Sequence, residues 1–209
     1  NVKHIVVEYN LEIIPKERNL VEYLDIKKAG NPNAYNRKPF SKTEVKKIWD
    51  VKDSNIYYTV ILMLIYTGCR IGELLDLKKE NVNLEEKYFK IVASKTAAGI
   101  RTAPISEKVY PFFEYWYNLN DCEYLLSTPE GEHFKYRNYY DSYWSPLIET
   151  LGMKHRPHDT RHTCISMLTV AGVSDKVIKK IVGHKGQGVT EVVYTHFEIE
   201  ELIDAINKI

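Results

Sequence analysis

Six residues spread along the chain are of the types that move phosphoryl groups: Arg70, Lys95, His158, Arg161, His184 and Tyr194. A tyrosine hydroxyl is a weak nucleophile while its pKa stays near ~10, so it needs a base or a cationic surround before it can attack. Two guanidinium groups would supply that surround and neutralise the oxygens of a phosphodiester. Preorganised donors of this kind contribute about 3–4 kcal/mol each to the transition state. An imidazole beside a guanidinium would suit a phosphate oxygen, and a lysine on a loop would protonate the departing oxygen. These are the parts for transesterification at a phosphodiester, and the scheme draws on no metal ion and no cofactor.

Each residue also has an ordinary explanation. Tyr194 is one of 16 tyrosines, most of which would simply pack. His158 and Arg161 stand three apart at the start of a helix, so both can point to one side. Backbone N–H groups there favour an anion, and an arginine offers it a planar, two-pronged donor. The same run, His158-Asp159-Thr160-Arg161-His162, imitates a zinc-binding H-E-x-x-H helix. Against zinc stand the shorter Asp159, the lack of an evident third ligand, and a cation between the histidines. A plain helix with Asp159 as N-cap and His162 packed inward fits those five residues equally well. Arg70 lies in a turn between two apolar segments, which confines its head group, although most such arginines make surface pairs of little value. Lys95 would ordinarily be solvated in its loop. His184 would ordinarily cap a helix end, where an imidazolium meets the dipole.

The elements that must hold these residues are mainly helical, with one small antiparallel sheet, an α+β chain. Ser41-Lys42-Thr43-Glu44 is a capping box opening a helix with Val45, Ile48 and Trp49 on one face. Tyr57 to Tyr66 is apolar nearly all round, which predicts a buried central helix closed by Gly68. A short helix over Ile71–Leu77 follows. Residues 88–92 and 100–105 flank a polar, Gly-containing loop, a β-hairpin signal, and Lys95 sits in that loop. Helices are expected over 107–117 and 136–151, both rich in aromatics, and from about Asp159 to Ala171 after Pro157. Ser174 caps one more helix, Asp175 to Val182, which Gly183 ends. Residues 1–37 separate from the rest: Val2, Ile5, Val6 and Tyr9 have helical spacing, Pro15 interrupts, and Gly30-Asn31-Pro32-Asn33 favours turns.

Composition excludes several classes. The 209 residues, 44% hydrophobic and 27% charged, are those of an ordinary globular chain long enough to bury a full core. The longest apolar run, Tyr57 to Tyr66, is too short to span a bilayer. Neither a signal-peptide pattern nor a C-x-x-C pair is present, and the three cysteines point to a reduced, cytoplasmic setting. A net charge of +1 does not advertise nucleic acid. However, Lys154, Arg156 and Arg161 cluster, as do Lys176, Lys179, Lys180 and Lys185, while acids collect at Glu198, Glu200, Glu201 and Asp204.

In order, Thr67-Gly68-Cys69-Arg70-Ile71-Gly72-Glu73-Leu74, Lys95-Thr96, His158-Asp159-Thr160-Arg161-His162-Thr163, Gly183-His184 and Tyr194-Thr195-His196 resemble the tyrosine recombinase (phage integrase) family. Within it the chain looks most like integrases of phages and conjugative transposons. The resemblance implies a tyrosine recombinase catalytic domain over 38–209, preceded over 1–37 by the last helix of a core-binding domain and a linker. It implies Tyr194 as the nucleophile that forms a 3′-phosphotyrosyl link, and Arg70 and Arg161 as clamps on the scissile phosphate. Lys95 becomes the general acid for the leaving 5′-oxygen, with Lys90 its nearest substitute. His158 becomes an acid/base toward the tyrosine, and His184 a hydrogen-bond donor to the phosphate. Double-stranded DNA attachment sites and a homotetramer on two duplexes are the implied partners. The stripe Ile199, Leu202, Ile203 and Ile206 would dock either on its own core or, as the resemblance suggests, on a neighbouring protomer. The loop from Lys185 to Val189, with Gly186 and Gly188, would let Tyr194 stand away from the site. A type IB topoisomerase shares the tyrosine chemistry but usually carries lysine where His158 stands.

Overall fold

A computed structural model describes residues 38–94, 99–184 and 198–209. The first described helix, α1 (Lys42–Val51), starts at Ser41 with the expected capping box: Ser41 N–H donates to Glu44 Oε2 at 2.7 Å, and Glu44 N–H to Ser41 Oγ at 3.2 Å. Helix α2 (Tyr57–Thr67) is buried along its whole length, as its lack of a polar face requires. It ends on Gly68, whose left-handed φ of 62° lets its N–H reach Leu64 O at 3.0 Å. A one-turn helix, α3 (Ile71–Leu75), follows at once.

The expected hairpin forms from β2 (Tyr88–Ile91) and β3 (Arg101–Pro104), with Phe89 opposite Ala103 and Ile91 opposite Arg101. A short strand not anticipated from the sequence, β1 (Val82–Asn83), pairs with β2 and gives the order β1-β2-β3. Two residues carry no legible period. What fixes the strand is the tight turn after it, where Asn83 Oδ1 accepts from Glu86 N–H at 2.9 Å.

Helix α4 (Tyr110–Asn118) begins later than the expected 107, because Val109 N–H closes a turn onto Ser106 O at 3.0 Å. The aromatic stretch forms α5 (Tyr136–Tyr139), a π-helical turn over Tyr140–Trp144, and α6 (Ser145–Thr150). Pro146 has no N–H to donate and its ring crowds the preceding turn, so the wider π turn takes up the misfit. Helix α7 (Pro157–Val170) starts two residues earlier than expected, with proline in the first turn. Asp159 is therefore not the N-cap. It lies inside the first turn, where its Oδ2 accepts from Arg156 N–H at 2.9 Å.

Helix α8 (Asp175–Val182) has Ser174 as N-cap and ends on Gly183 at φ 70°. Helix α9 (Ile199–Ile206) buries Leu202, Ala205 and Ile206 and packs against β3 and α8 of its own chain. The core lies where α2 meets α7, α1 and α4, with Trp116 and Trp144 among its largest fully buried side chains. The proposed helix and turn of residues 1–37, the Lys95-Thr96 turn, the glycine loop after His184, and Tyr194 with His196 lie outside the described residues.

Candidate active site

Helix α2 ends and α7 begins at the same place, and that junction makes the site. Arg161, on α7, is 1% exposed, and its Nη1 donates to Gly68 O at 2.9 Å. Its Nε and Nη2 have no hydrogen-bond partner among the described residues. Burial, then the nearby Arg70 and Arg101 guanidinium groups, push its pKa down to about 10. It stays charged at neutral pH, but in a crowd of like charge.

Two residues past Gly68, Arg70 is the extended residue that starts α3. Its N–H donates to Glu73 Oε2 at 2.9 Å and its Nη1 to Glu73 Oε1 at 2.5 Å. The Arg70 side chain remains 29% exposed while that of Glu73 is 4% exposed, so the guanidinium is held from behind and open in front. Glu73 also accepts from Ser94 Oγ at 2.9 Å and from Arg101 Nη2 at 3.2 Å. Burial alone would raise the Glu73 carboxyl's pKa. Arg101, then the N–H and guanidinium of Arg70, outweigh burial and hold it below the usual carboxylate range.

His184 follows Gly183 directly, and both N–H groups bond Lys179 O, at 3.0 and 2.8 Å. That is the helix-end geometry of the ordinary reading, yet the ring stands near the arginines. Burial, then Arg161, Arg70, His162 and Arg101, lower its pKa from the usual imidazole value. An imidazolium cap on the helix dipole is therefore disfavoured here. His158 is half-buried, with its ring edge-on to His162 at 5.0 Å between centroids. Among the described residues no three His, Cys, Asp or Glu side chains gather as a metal-ion set, so the His158/His162 zinc reading has no described third ligand.

The start of α7 is also tied to the start of α1. His155 stacks on Phe40 at 3.7 Å and sets Nε2 3.2 Å from Glu44 Oε1 and Nδ1 3.3 Å from Asp159 Oδ2. Phe40 N–H donates to Thr163 Oγ1 at 2.8 Å. Beside the Gly68–Arg161 contact, burial raises the Cys69 thiol to about 11 and the Cys164 thiol to about 12, so neither is a nucleophile at neutral pH.

Arg70, Arg161 and His184 are thus brought together from α3, α7 and α8, with His158 one turn before Arg161. A cleft of about 310 Å³ opens beside Arg70 and is also lined by Glu73, Lys78, Lys90 and Ser94. Lys90, the substitute considered for Lys95, therefore reaches the Arg70 cleft. Lys95 follows Ser94 directly, but it and Tyr194 lie outside the described residues. Reasoning from sequence gave no role to Arg101, Ser94 or His155. The Arg101 signal was available: it shares a strand face with Ala103 and Ile105, all buried, and a charge in that phase needs a buried partner.

Comparison with known proteins follows the same boundaries. Residues 38–201 match the Phage integrase family. The tyrosine recombinase XerA of Pyrococcus horikoshii is 30% identical over 191 residues, covering 88% of this chain and 66% of that protein. A XerC-like tyrosine recombinase of Caldanaerobacter subterraneus subsp. tengcongensis is 26% identical over 208 residues, covering 81% of this chain and 53% of its own. The chain thus spans from about half to about two thirds of these relatives' length. In fold, it matches the Tn1549 transposon integrase solved with a circular-intermediate DNA, at TM-score 0.66, 20% identity, 85% of this chain and 67% of that one. The lambda integrase catalytic core matches at TM-score 0.57 and 16% identity, over 73% of this chain and 95% of that one. With the paired arginines set on the same mainly helical frame, the family match places the chain in the phage integrase family of tyrosine recombinases.

Proposed function

We propose that the protein performs site-specific DNA recombination, the integration or excision of a mobile element, through a 3′-phosphotyrosyl intermediate. The observation that carries this reading is Arg161. It is a buried cation with two donors unmatched among the described residues, and burial first, then Arg70 and Arg101, push its pKa down to about 10. Burying a charge costs several kcal/mol unless it is compensated, and the non-bridging oxygens of a phosphodiester would compensate it with bidentate hydrogen bonds. Arg70, anchored by Glu73 with its outer face open, supplies the second clamp.

In this scheme Tyr194 Oη attacks phosphorus and gives its proton to His158. The P–O5′ bond breaks, and the leaving oxygen takes a proton from Lys95 to become a free 5′-hydroxyl. The tyrosine–phosphate ester keeps the bond energy, so a 5′-hydroxyl from a second duplex reseals the strand in the reverse sequence without ATP. His184, kept neutral by its surroundings, donates one N–H to a phosphate oxygen without adding a third charge. Double-stranded attachment-site DNA is the partner, and exchange between two duplexes calls for a homotetramer. Helix α9 packs on its own chain here. Docking on a neighbour would require it to leave β3 and α8, which would couple the position of Tyr194 to assembly. Residues 1–37 serve as the end of a core-binding domain plus linker, and 38–209 as the catalytic domain; the family match beginning at residue 38 supports that boundary. Among the described residues no helix is long and apolar enough to cross a membrane. The DNA substrate of this scheme would be met in the bacterial cytoplasm.

The test uses a library of nicked random duplexes incubated with the full chain in EDTA. Covalent adducts are recovered on a denaturing gel and their DNA is sequenced. A recurrent duplex sequence, with an adduct present in the wild type and absent in Tyr194→Phe, is expected. An adduct that persists in Tyr194→Phe overturns the nucleophile. Hydrolysis without an adduct overturns the whole reading. Relaxation of supercoils with no joining to a second duplex would favour a type IB topoisomerase.

A further inference from the structure

Among the described residues, Arg101 is the one buried guanidinium that the chemistry above leaves without a role. Its side chain is 2% exposed, and three of its nitrogens are used in three different directions. Nε donates to Ile181 O at 2.7 Å, Nη1 to Gly99 O at 2.8 Å, and Nη2 to Glu73 Oε2 at 3.2 Å. These partners belong to separate parts of the site. Ile181 is three residues before His184, Gly99 closes the hairpin turn that carries Lys95, and Glu73 holds Arg70. The other end of that turn is pinned to the same carboxylate, because Ser94 Oγ donates to Glu73 Oε1 at 2.9 Å. The two ends meet closely. A Cβ at Gly99 would collide with Ser94 Oγ and lie 3.3 Å from Arg70 Nη1.

We propose that Arg101 is a positioning residue. It fixes the base of the Lys95 turn and the end of the His184 helix to the Glu73–Arg70 pair, so that the general acid and the phosphate clamp keep one geometry. Only arginine suits the task. Its planar fork reaches three acceptors at fixed angles, whereas a lysine ammonium on a flexible stem would satisfy Glu73 or one carbonyl but not all three. Displacement of a general acid by about 1 Å is enough to cost on the order of 10²-fold in rate. The role of Lys95 in this scheme rests on the recombinase reading, and the experiment separates the two.

The probe is the duplex recovered by adduct selection, made once with a normal scissile phosphate and once with sulfur as the bridging 5′ atom, which leaves without needing a proton. Wild type and Tyr194→Phe are compared first; no tyrosine adduct from wild type would defeat the recombinase reading itself. Arg101→Lys keeps the buried charge. Its single-turnover cleavage of the normal duplex should fall about 30- to 100-fold, with DNA binding within about threefold of wild type. On the sulfur-bridged duplex most of that loss should disappear, as it should for Lys95→Ala, while Arg70→Gln should stay slow on both. Hydrogen exchange on the same proteins reads the positioning without any chemistry. In Arg101→Lys the amides at 92–94, 99–101 and 180–184 should exchange faster, with α2 unchanged. Cleavage at the wild-type rate, an equal loss on both duplexes, or unchanged exchange in those segments would each overturn the proposal. If Arg101→Lys does not fold, Ser94→Ala decides. A smaller loss rescued by sulfur supports the anchored turn, and wild-type cleavage refutes it.

Discussion

At the scale of single residues, the site is governed by how its positive charges share one small volume. Arg161 gives up solvent for a contact with Gly68 O, and its pKa falls to about 10 under burial and the presence of Arg70 and Arg101. Among the described residues the Glu73 carboxylate bonds both Arg70 and Arg101. His184 feels the same excess, first through burial and then through Arg161 and Arg70. Its folded pKa lies below the unfolded value of about 6.5, so the unfolded chain binds the proton more readily. Whatever stability the neutral ring carries is complete above about pH 6.5 and declines as pH falls toward the folded value. The ring is only partly covered and the residue keeps much of its surface in solvent, so screening keeps the effect on stability small. Histidine titration by NMR should give His184 a midpoint below the ordinary value, and Arg70→Gln should move that midpoint up. A midpoint at or above the ordinary value in the wild type would contradict this electrostatic account. A phosphate bound between the arginines should also raise it, so DNA binding should take up a proton below neutral pH.

The elements matter because they deliver these charges to one point. Helix α2 has no polar face, so burying it against α7 is the dominant packing decision in the described chain. Gly68 converts that packing into a site: its left-handed turn releases the chain toward Arg70 and presents a carbonyl to Arg161. A Cβ there would lie 2.8 Å from Val182 Cγ1 and 2.9 Å from Cys164 Sγ, at a φ of +62°. Gly68→Ala should therefore destabilise the protein by about 2–5 kcal/mol, from left-handed strain and overpacking together. Thermal melting should show it as a fall of several degrees or more. Because the same shift moves the acceptor of Arg161 Nη1, cleavage should fall even at temperatures where the variant stays folded. A variant that melts with the wild type would show that α7 and α8 yield at this point without cost.

For the whole molecule, the net charge of +1 hides a division of labour. Lysines and arginines cluster on and around α7 and α8, whereas the α9 segment carries Glu198, Glu200, Glu201 and Asp204. Binding to DNA should then be weak in affinity and steep in salt, since neutralising each phosphate releases counterions. Fluorescence anisotropy with the selected duplex should show affinity falling about tenfold or more between 50 and 200 mM salt. An affinity that barely moves over that range would mean that base contacts, not phosphates, hold the DNA.

The sequence by itself determined the elements that local chemistry dictates. The capping box at Ser41, the buried run of α2, the glycine stops at Gly68 and Gly183 and the hairpin pair all have short-range causes. The motif order from Thr67 to His196 was enough to indicate the family and to nominate Arg70, Arg161 and His184, which the fold brings together. Tertiary structure alone decided what stands behind them. Nothing local ties Arg101 to Ile181 and Glu73, or His155 to Glu44 across 111 positions. Such partners are chosen by burial: once a charged or polar group is taken out of water its bonds must be made inside the protein. Which groups are close enough to make them depends on packing between segments far apart in the chain.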